Sequence, residues 1–336
     1  MKKMMAVYDR DPFYAERLSD YVNRKGKGMF QAQAFTSREK LEEYMREHEV
    51  DVLLAGENAD LNSLDSRYAG RSIFLSEDRT GGGEGKKKEI YKYQSGDDII
   101  REVMACYCEM PGAAGGSGSG YGKAGRMIGV YSPVGRCGKT SLAFSIGQIL
   151  GREERVLFAS LDSFTGFAGL MGERWKRDLS DLVYYHKQGR LTAARLNTVL
   201  HFIGDMAWLP PMSFPEDYCQ ISSEEMAGMF GKIAGEGQFE TVVLDIGNFG
   251  KQAVPFLRLC QVIFMPVKED EVSAAKIREF ESYLEEHGNG GILAKIRKVR
   301  MPVAMGTRKT EHFPQELAWG EMGSFVKNML KGLENA

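Results

Sequence analysis

The stretch SPVGRCGKTS, Ser132 to Ser141, decides how the chain folds. An apolar run of Met127, Ile128, Val130 and Tyr131 precedes it and reads as a strand. Leu142, Ala143, Phe144, Ile146, Ile149 and Leu150 follow at helical spacing. A strand that enters a helix through a Gly-containing turn is the geometry that cradles a phosphate chain. Backbone N–H groups of the turn and the positive end of the helix dipole face the anion. In the pattern GxxxxGK[ST], the Lys (here Lys139) reaches the outer phosphates and the hydroxyl (here Thr140) holds Mg²⁺. Pro133 stands where that pattern has its first Gly. The candidate nucleotide-binding residues are therefore Val134, Gly135, Arg136, Cys137, Gly138, Lys139, Thr140 and Ser141.

Working outward, RVLFASL (Arg155 to Leu161) is a β-rich run that ends in Asp162. FETVVLDIGNFG (Phe239 to Gly250) holds a buried strand ending in Asp245. An apolar strand with a terminal carboxylate places the acid near a metal, where it acts on the hydration shell. Val262 to Val267 is a further buried strand, and Arg297 to Pro302 is the last candidate. Carboxylates at strand ends beside a Gly-Lys-Thr turn form a constellation, which is more specific than any of its parts. Thr140, Asp162 and Asp245 are the expected metal-site residues, and Lys139 and Asp162 the expected catalytic ones.

The chain has 336 residues, 43% hydrophobic and 27% charged, with a net charge of -2. That length suits roughly two domains of ~150 residues. The balance gives no general pull toward nucleic acid or anionic lipid. The start, MKKMMAVYDRD, has too few apolar residues for a signal peptide, and no apolar run approaches the ~20 residues that span a bilayer. The five Cys form no CxxC or zinc spacing and read as reduced thiols of a cytoplasmic protein.

The Gly/Ser-rich tract Pro111 to Gly125 cannot bury a core and reads as a tether. The expected organisation is a domain over 1–107, a linker over 108–126 and a second domain over 127–336. GGGEGKKK, Gly81 to Lys88, reads as a solvated basic loop.

The N-terminal part alternates strand and helix signals. Strands are expected at Met4–Tyr8, Phe30–Phe35, Val50–Ala55, Ile73–Leu75 and Ile90–Tyr93, with helices at Phe13–Val22, after Thr36 and at Asp97–Tyr107. Thr36 and Glu39 read as a capping box. This order predicts a doubly wound parallel sheet. It resembles a response-regulator receiver, with Asp9 and Asp11 at the acidic pair, Ser76 after strand four and Lys92 after strand five. Ala55 or Gly56 stands where the phosphate-accepting Asp belongs, so the resemblance implies a docking module, a pseudo-receiver, without phosphotransfer. Asp9 and Asp11 read equally well as the solvated end of a strand.

From the loop onward the chain resembles the MinD/ParA family of P-loop ATPases, and within it the TadZ/CpaE proteins, which carry a receiver-like domain first. The resemblance implies an α/β chain of two doubly wound parallel-sheet domains, flavodoxin-like then P-loop NTPase, with ATP and Mg²⁺ as cofactors. Asp162 matches the Asp that positions the attacking water, GLMG (Gly169 to Gly172) the segment after it, and Asp245 the Walker B Asp. Gly247 and Gly250 give the following turn its freedom, and WLPP (Trp208 to Pro211) matches the strand before the next helix. Pro266 and Pro302 lie where loops flank the adenine.

The family loop KGGxGK[ST] has a Lys that crosses a dimer interface; that position here is Val134, and Arg136 replaces the second Gly. Arg136 either replaces the cross-dimer Lys or contacts its own nucleotide or solvent. The segment Glu285 to Arg300 is short, and the strand carrying an adenine-reading side chain reads as missing or eroded. Near the C-terminus, Phe325, Val326, Met329, Leu330 and Leu333 form an apolar face. It is expected to pack on the sheet in preference to a lipid surface, which leaves membrane contact at most peripheral.

The implied function is an ATP-binding, weakly hydrolysing switch. It dimerises with nucleotide and positions a pilus or secretion apparatus through that machine's proteins, in the cytoplasm, at a pole or at the inner face of the membrane. The alternatives are a scaffold that binds nucleotide without hydrolysis and a ParA-like DNA partition ATPase. No specific nucleic-acid partner is expected.

Overall fold

The computed structural model describes residues 3–24, 30–56, 71–77, 88–108, 110, 124–172, 175–247, 250–302, 317 and 319–334. The chain divides into two compact units, Met1–Ser117 with Ala194–Thr198, and Gly118–Ala193 with Val199–Ala336. The tether at 111–123 and most of the basic loop, 81–87, lie outside the described residues. Lys88, the last residue of that loop, donates to the Cys106 carbonyl at 2.7 Å.

The first unit runs β1 (Lys3–Tyr8), α1 (Pro12–Arg24), β2 (Phe30–Phe35), α2 (Arg38–Glu47), β3 (Val52–Gly56), β4 (Ser72–Ser76), β5 (Glu89–Tyr91) and α3 (Gly96–Cys108). Its sheet has the order β2-β1-β3-β4-β5, and every neighbouring pair is parallel. That is the flavodoxin-like doubly wound order. Side chains alternate across each strand, so Met5 and Val7 enter one core with Leu54, Ile73 and Val103. Ala6 and Tyr8 enter the other with Leu41, Met45 and Leu53. Burial on both faces is why β3 reads as an unbroken apolar run, whereas the edge strand β2 alternates. The cap of α2 falls one residue later than the sequence predicts. Ser37, with extended backbone, accepts from the Lys40 N–H and donates its hydroxyl to Glu39.

The second unit opens with β6 (Arg126–Val130), α4 (Lys139–Leu150), β7 (Val156–Ser160), α5 (Phe167–Met171) and α6 (Leu179–Lys187); α7 (Ala193–Val199) follows in the chain, and its residues 194–198 group with the first unit. The second unit continues through β8 (His201–Ile203), β9 (Met206–Leu209), α8 (Ser223–Gly235), β10 (Thr241–Asp245), α9 (Val254–Leu259) and β11 (Val262–Val267). It closes with α10 (Glu271–Glu286), β12 (Ile296–Arg300) and α11 (Glu321–Glu334). The sheet order is β12-β11-β6-β10-β7-β9-β8. All pairs are parallel except β8–β9, an edge hairpin.

β12 answers the candidate strand expected at Arg297 to Pro302, so the chain after Glu285 does carry a strand and the reading of that strand as missing or eroded is corrected. It lies parallel to β11 with Val299 opposite Pro266. Pro266 is itself a correction, since it is buried inside β11 and not on a loop. A Pro fits there because pairing with β6 ends at Phe264, whose carbonyl accepts from Tyr131, and the missing N–H of Pro266 has no ladder partner to lose.

Helix α4 sits low on the sheet. A Cβ added at Gly147 would lie 2.5 Å from Met206 Sδ, and one at Gly151 would lie 3.3 Å from the Met206 backbone. The C-terminal helix α11 packs as the sequence predicts. Met322 and Val326 are buried in the core that contains Leu142 and Ile146, and Phe325, Met329 and Leu330 flank it. No helix among the described residues is long and apolar enough to cross a membrane.

Candidate functional site

The phosphate-type loop leaves β6 after Val130 and enters α4 at Lys139. Gly138 is the N-cap at φ 85°, a left-handed backbone that glycine adopts without strain, and it offers no side chain to the helix's first N–H groups. The loop's own bonds are few: the Val134 N–H donates to Ser132 Oγ at 3.2 Å, and the Cys137 thiol to the Val134 carbonyl at 3.2 Å. Val134 and Cys137 are buried, Gly135 and Arg136 exposed, and Gly138, Lys139, Thr140 and Ser141 half-buried.

β10 lies between β6 and β7, with Asp245 opposite Val130 on one side and Ser160 on the other. Sheet order thus sets Asp245 beside the loop. Its carboxylate is fully buried. Oδ2 accepts from Ser160 Oγ at 2.7 Å, whereas Oδ1 has no partner within bonding distance. Burial pushes the carboxyl up to about 6, opposed by the Ser160 hydrogen bond and then by the Thr140 hydroxyl; the Asp162 charge pushes it further up, and Lys139 pulls it down. Lys139, Thr140, Asp162 and Asp245 therefore act on one another across one small space. A buried carboxylate oxygen with no donor, next to a hydroxyl, suits a divalent cation's hydration shell. Among the described residues no group of three or more Asp, Glu, His or Cys gathers into a metal cage, so an ion here would keep most of its water.

Asp162 is half-buried, just past β7. Gly247 lies against it: an added Cβ would come 2.8 Å from the Asp162 Cα. The turn after Asp245 therefore needs glycine for close approach, not for an unusual backbone angle. Beyond Asp162 the chain is pinned by Phe167, which is buried against Phe144, Phe158 and Trp208 with ring centroids 5.5, 5.9 and 5.5 Å away. Phe164, by contrast, is 84% exposed. GLMG falls largely within the short α5.

Some contributors have no motif. Ser160 is the small polar end of an otherwise apolar strand, which is its one sequence signal. Tyr218 lies in the 3-10 turn Pro215–Gln220 after β9. Its hydroxyl is buried, and burial raises its pKa; a backbone hydrogen bond from Met212 opposes this, and Asp162, Asp178 and Asp245 add to it. Asp178 anchors the start of that segment by accepting from the Ser213 N–H and hydroxyl at 2.8 and 2.6 Å. Pro302 lies half-buried just beyond β12, and the residues after it, 303–316, lie outside the described ones.

In the first unit Asp9 is not solvated. It is buried and pairs with Lys92 at 2.8 Å, and it also accepts from the Asp11 N–H at 2.9 Å. Asp11 is exposed and caps α1 by accepting from the Phe13 N–H at 2.9 Å. Gly56, at the end of β3, lies so close that an added Cβ would be 2.9 Å from Asp9 Oδ2. Burial works against the Lys92 charge, but the Asp9 hydrogen bond and charge outweigh it and raise the Lys92 pKa. Ser76 is buried at the end of β4.

No protein-family model and no curated protein matches the chain. Among solved structures it is similar to a ParA family ATPase from Chlorobium tepidum, at 16% identity over 60% of this chain and 82% of that one, TM-score 0.47. It is similar to a putative plasmid partition protein from Borrelia burgdorferi bound to AMPPNP, at 10% identity over 63% and 100%, TM-score 0.46. It is also similar to the septum site-determining protein MinD from Pyrococcus horikoshii complexed with Mg-ADP, at 14% identity over 57% and 76%, TM-score 0.42. At such identities and scores, function has to be read from the residues of this chain.

Proposed function

We propose that the second unit binds ATP with Mg²⁺ and uses the bound state as a switch. The observation that carries this is the Asp245 carboxylate, wholly buried with one oxygen unsatisfied, next to Thr140 and Lys139 at the uncapped start of α4. The N–H groups around Gly138 and the Lys139 ammonium hold the phosphates. The Thr140 hydroxyl and Asp245 hold the hydrated metal, whose charge neutralises the phosphates. Asp162 orients water, and its contact with Gly247 links the segments on either side of the terminal phosphate.

The bound state recruits a second copy of the chain. Phe164, Phe214, Val272 and Leu170, which are 84%, 67%, 66% and 42% exposed, all lie on segments leaving the carboxyl ends of β7, β9 and β11. Exposed apolar side chains gathered on one edge are what a partner surface requires. By the resemblance to TadZ/CpaE proteins, the cellular task is placing a pilus or secretion apparatus. Lys298 and Arg300, part of the basic run at β12, are paired with Glu281 and Glu269 at 2.7 and 3.1 Å, which favours the switch over DNA partition.

The test is a thermal-shift titration with ATP·Mg²⁺. Lys139→Ala is expected to remain folded and lose most of the ligand-induced shift; a shift equal to that of the unaltered protein refutes the site. A scaffold without hydrolysis is the second reading, favoured by the burial of Val134 where the family has a cation. Steady-state ATPase of the protein and of Asp162→Ala separates the two, and equal rates remove the enzymatic reading.

A further inference from the structure

Arg136 is the one non-glycine residue among those described with a positive φ, 51°. An arginine held in left-handed backbone is strained, and such strain persists where the side chain has a task. Gly135 shows the reverse. It has no left-handed φ, and a Cβ placed on it would meet nothing within 4 Å. The loop thus carries arginine where the backbone favours glycine, and glycine where the protein itself would accept a side chain. Protein geometry alone accounts for neither. A ligand accounts for both: it needs the backbone bare at Gly135 for close approach and a cation at Arg136.

The guanidinium is exposed, and among the described residues it has no hydrogen bond or ion pair. It stands three residues before Lys139, at the crest of the loop. We infer that Arg136 is a specificity-determining residue that binds the terminal phosphate of a nucleoside triphosphate, while Gly135 gives that phosphate room. This rests on the nucleotide reading above and adds which nucleotide state the loop selects. A planar, permanently charged fork suits a dianionic terminal phosphate, and a diphosphate presents no group at that reach.

The experiment is calorimetry of the full chain with ATP·Mg²⁺ and ADP·Mg²⁺, paired with thermal unfolding of the nucleotide-free protein. For Arg136→Gly, ATP affinity is expected to fall at least about tenfold and ADP affinity to stay within about twofold. The nucleotide-free melting temperature is expected to hold or rise, because strain is released. For Gly135→Ala the nucleotide-free melting temperature is expected to be unchanged while ATP binds more weakly and ADP affinity stays within about twofold. An ATP-to-ADP preference unchanged in Arg136→Gly overturns the inference. If the unaltered protein binds neither nucleotide, the nucleotide reading itself fails, a separate outcome.

Sedimentation with ATP then says whose phosphate is held. Loss of affinity that persists at protein concentrations where the chain is monomeric assigns the phosphate of the same chain. Loss seen only together with loss of self-association assigns that of a second copy. Both support the terminal-phosphate role.

Discussion

Replacing Asp245 by Asn removes a charge from the interior while keeping the side chain's shape. In the fold the carboxyl titrates at about 6, against an ordinary value of 3.8. At about 1.4 kcal/mol per pH unit, the difference makes the ionised group a burden of about 3 kcal/mol at neutral pH. The sign follows from which state holds the proton. Below about pH 3 the carboxyl is neutral in both the folded and unfolded chain, and nothing is lost. Between about 3 and 6 the unfolded chain ionises while the fold keeps its proton, so stability falls as pH rises; above about 6 the loss is complete. Asp245→Asn should therefore be more stable than the unaltered protein at pH 8 by up to about 3 kcal/mol, about 6 to 12 °C for a unit of this size. Near pH 3 the two should nearly coincide. The Ser160 hydroxyl can still donate to the Asn oxygen. Adding ATP·Mg²⁺ at pH 8 should reverse the order, since only the carboxylate can serve the metal's waters. The assay is urea unfolding with chelator present, at several pH values. A variant less stable at pH 8, or a gap independent of pH, would refute the reasoning.

Lys92→Met strands the buried Asp9 charge and is expected to destabilise the first unit by about 3 to 5 kcal/mol at neutral pH; adding Asp9→Leu should recover most of it. Urea unfolding of the single and double variants reads this, and a double variant no better than the single one contradicts it. Gly247→Ala forces a Cβ against the Asp162 backbone and should cost about 1 to 3 kcal/mol while lowering any ATPase rate; unchanged melting and turnover would show that the turn moves freely. Val326→Ala, in the closing helix, should cost about 2 kcal/mol through lost burial and a small cavity. A cost near zero would mean that α11 does not pack on the core.

Much of this was legible from residue order. Strands buried on both faces announce themselves as apolar runs, and β3 and β10 were found that way. The loop from Ser132 to Ser141 carried its own signal, and Asp245 was marked as a polar end to an apolar strand. What stayed hidden depends on contacts between distant residues. Ser160 matters only because β7 and β10 bring it opposite Asp245. Tyr218 approaches the same carboxylates from a turn without periodicity. Asp9 read equally well as half of an acidic pair and as a solvated strand end, because its partner, Lys92, lies far along the chain. Pro266 falls inside the apolar run Val262 to Val267, and the resemblance alone moved it to a loop; the staggered end of the β6 ladder shows why it can stay inside the strand. The edge strand β8, three residues long, is too short to rise above its neighbours in sequence.

The seat of α4 on Met206 has a consequence beyond packing. The helix works as a beam resting on Gly147 and Gly151, with its amide-bearing tip roughly 12 Å from the nearer support at 1.5 Å per residue. A single methyl slipped under that fulcrum lifts the shaft and swings the tip away from where an anion would dock. A survey for variants with a weakened grip on phosphate should therefore find some at the sulfur-facing underside, far from any residue that touches the ligand.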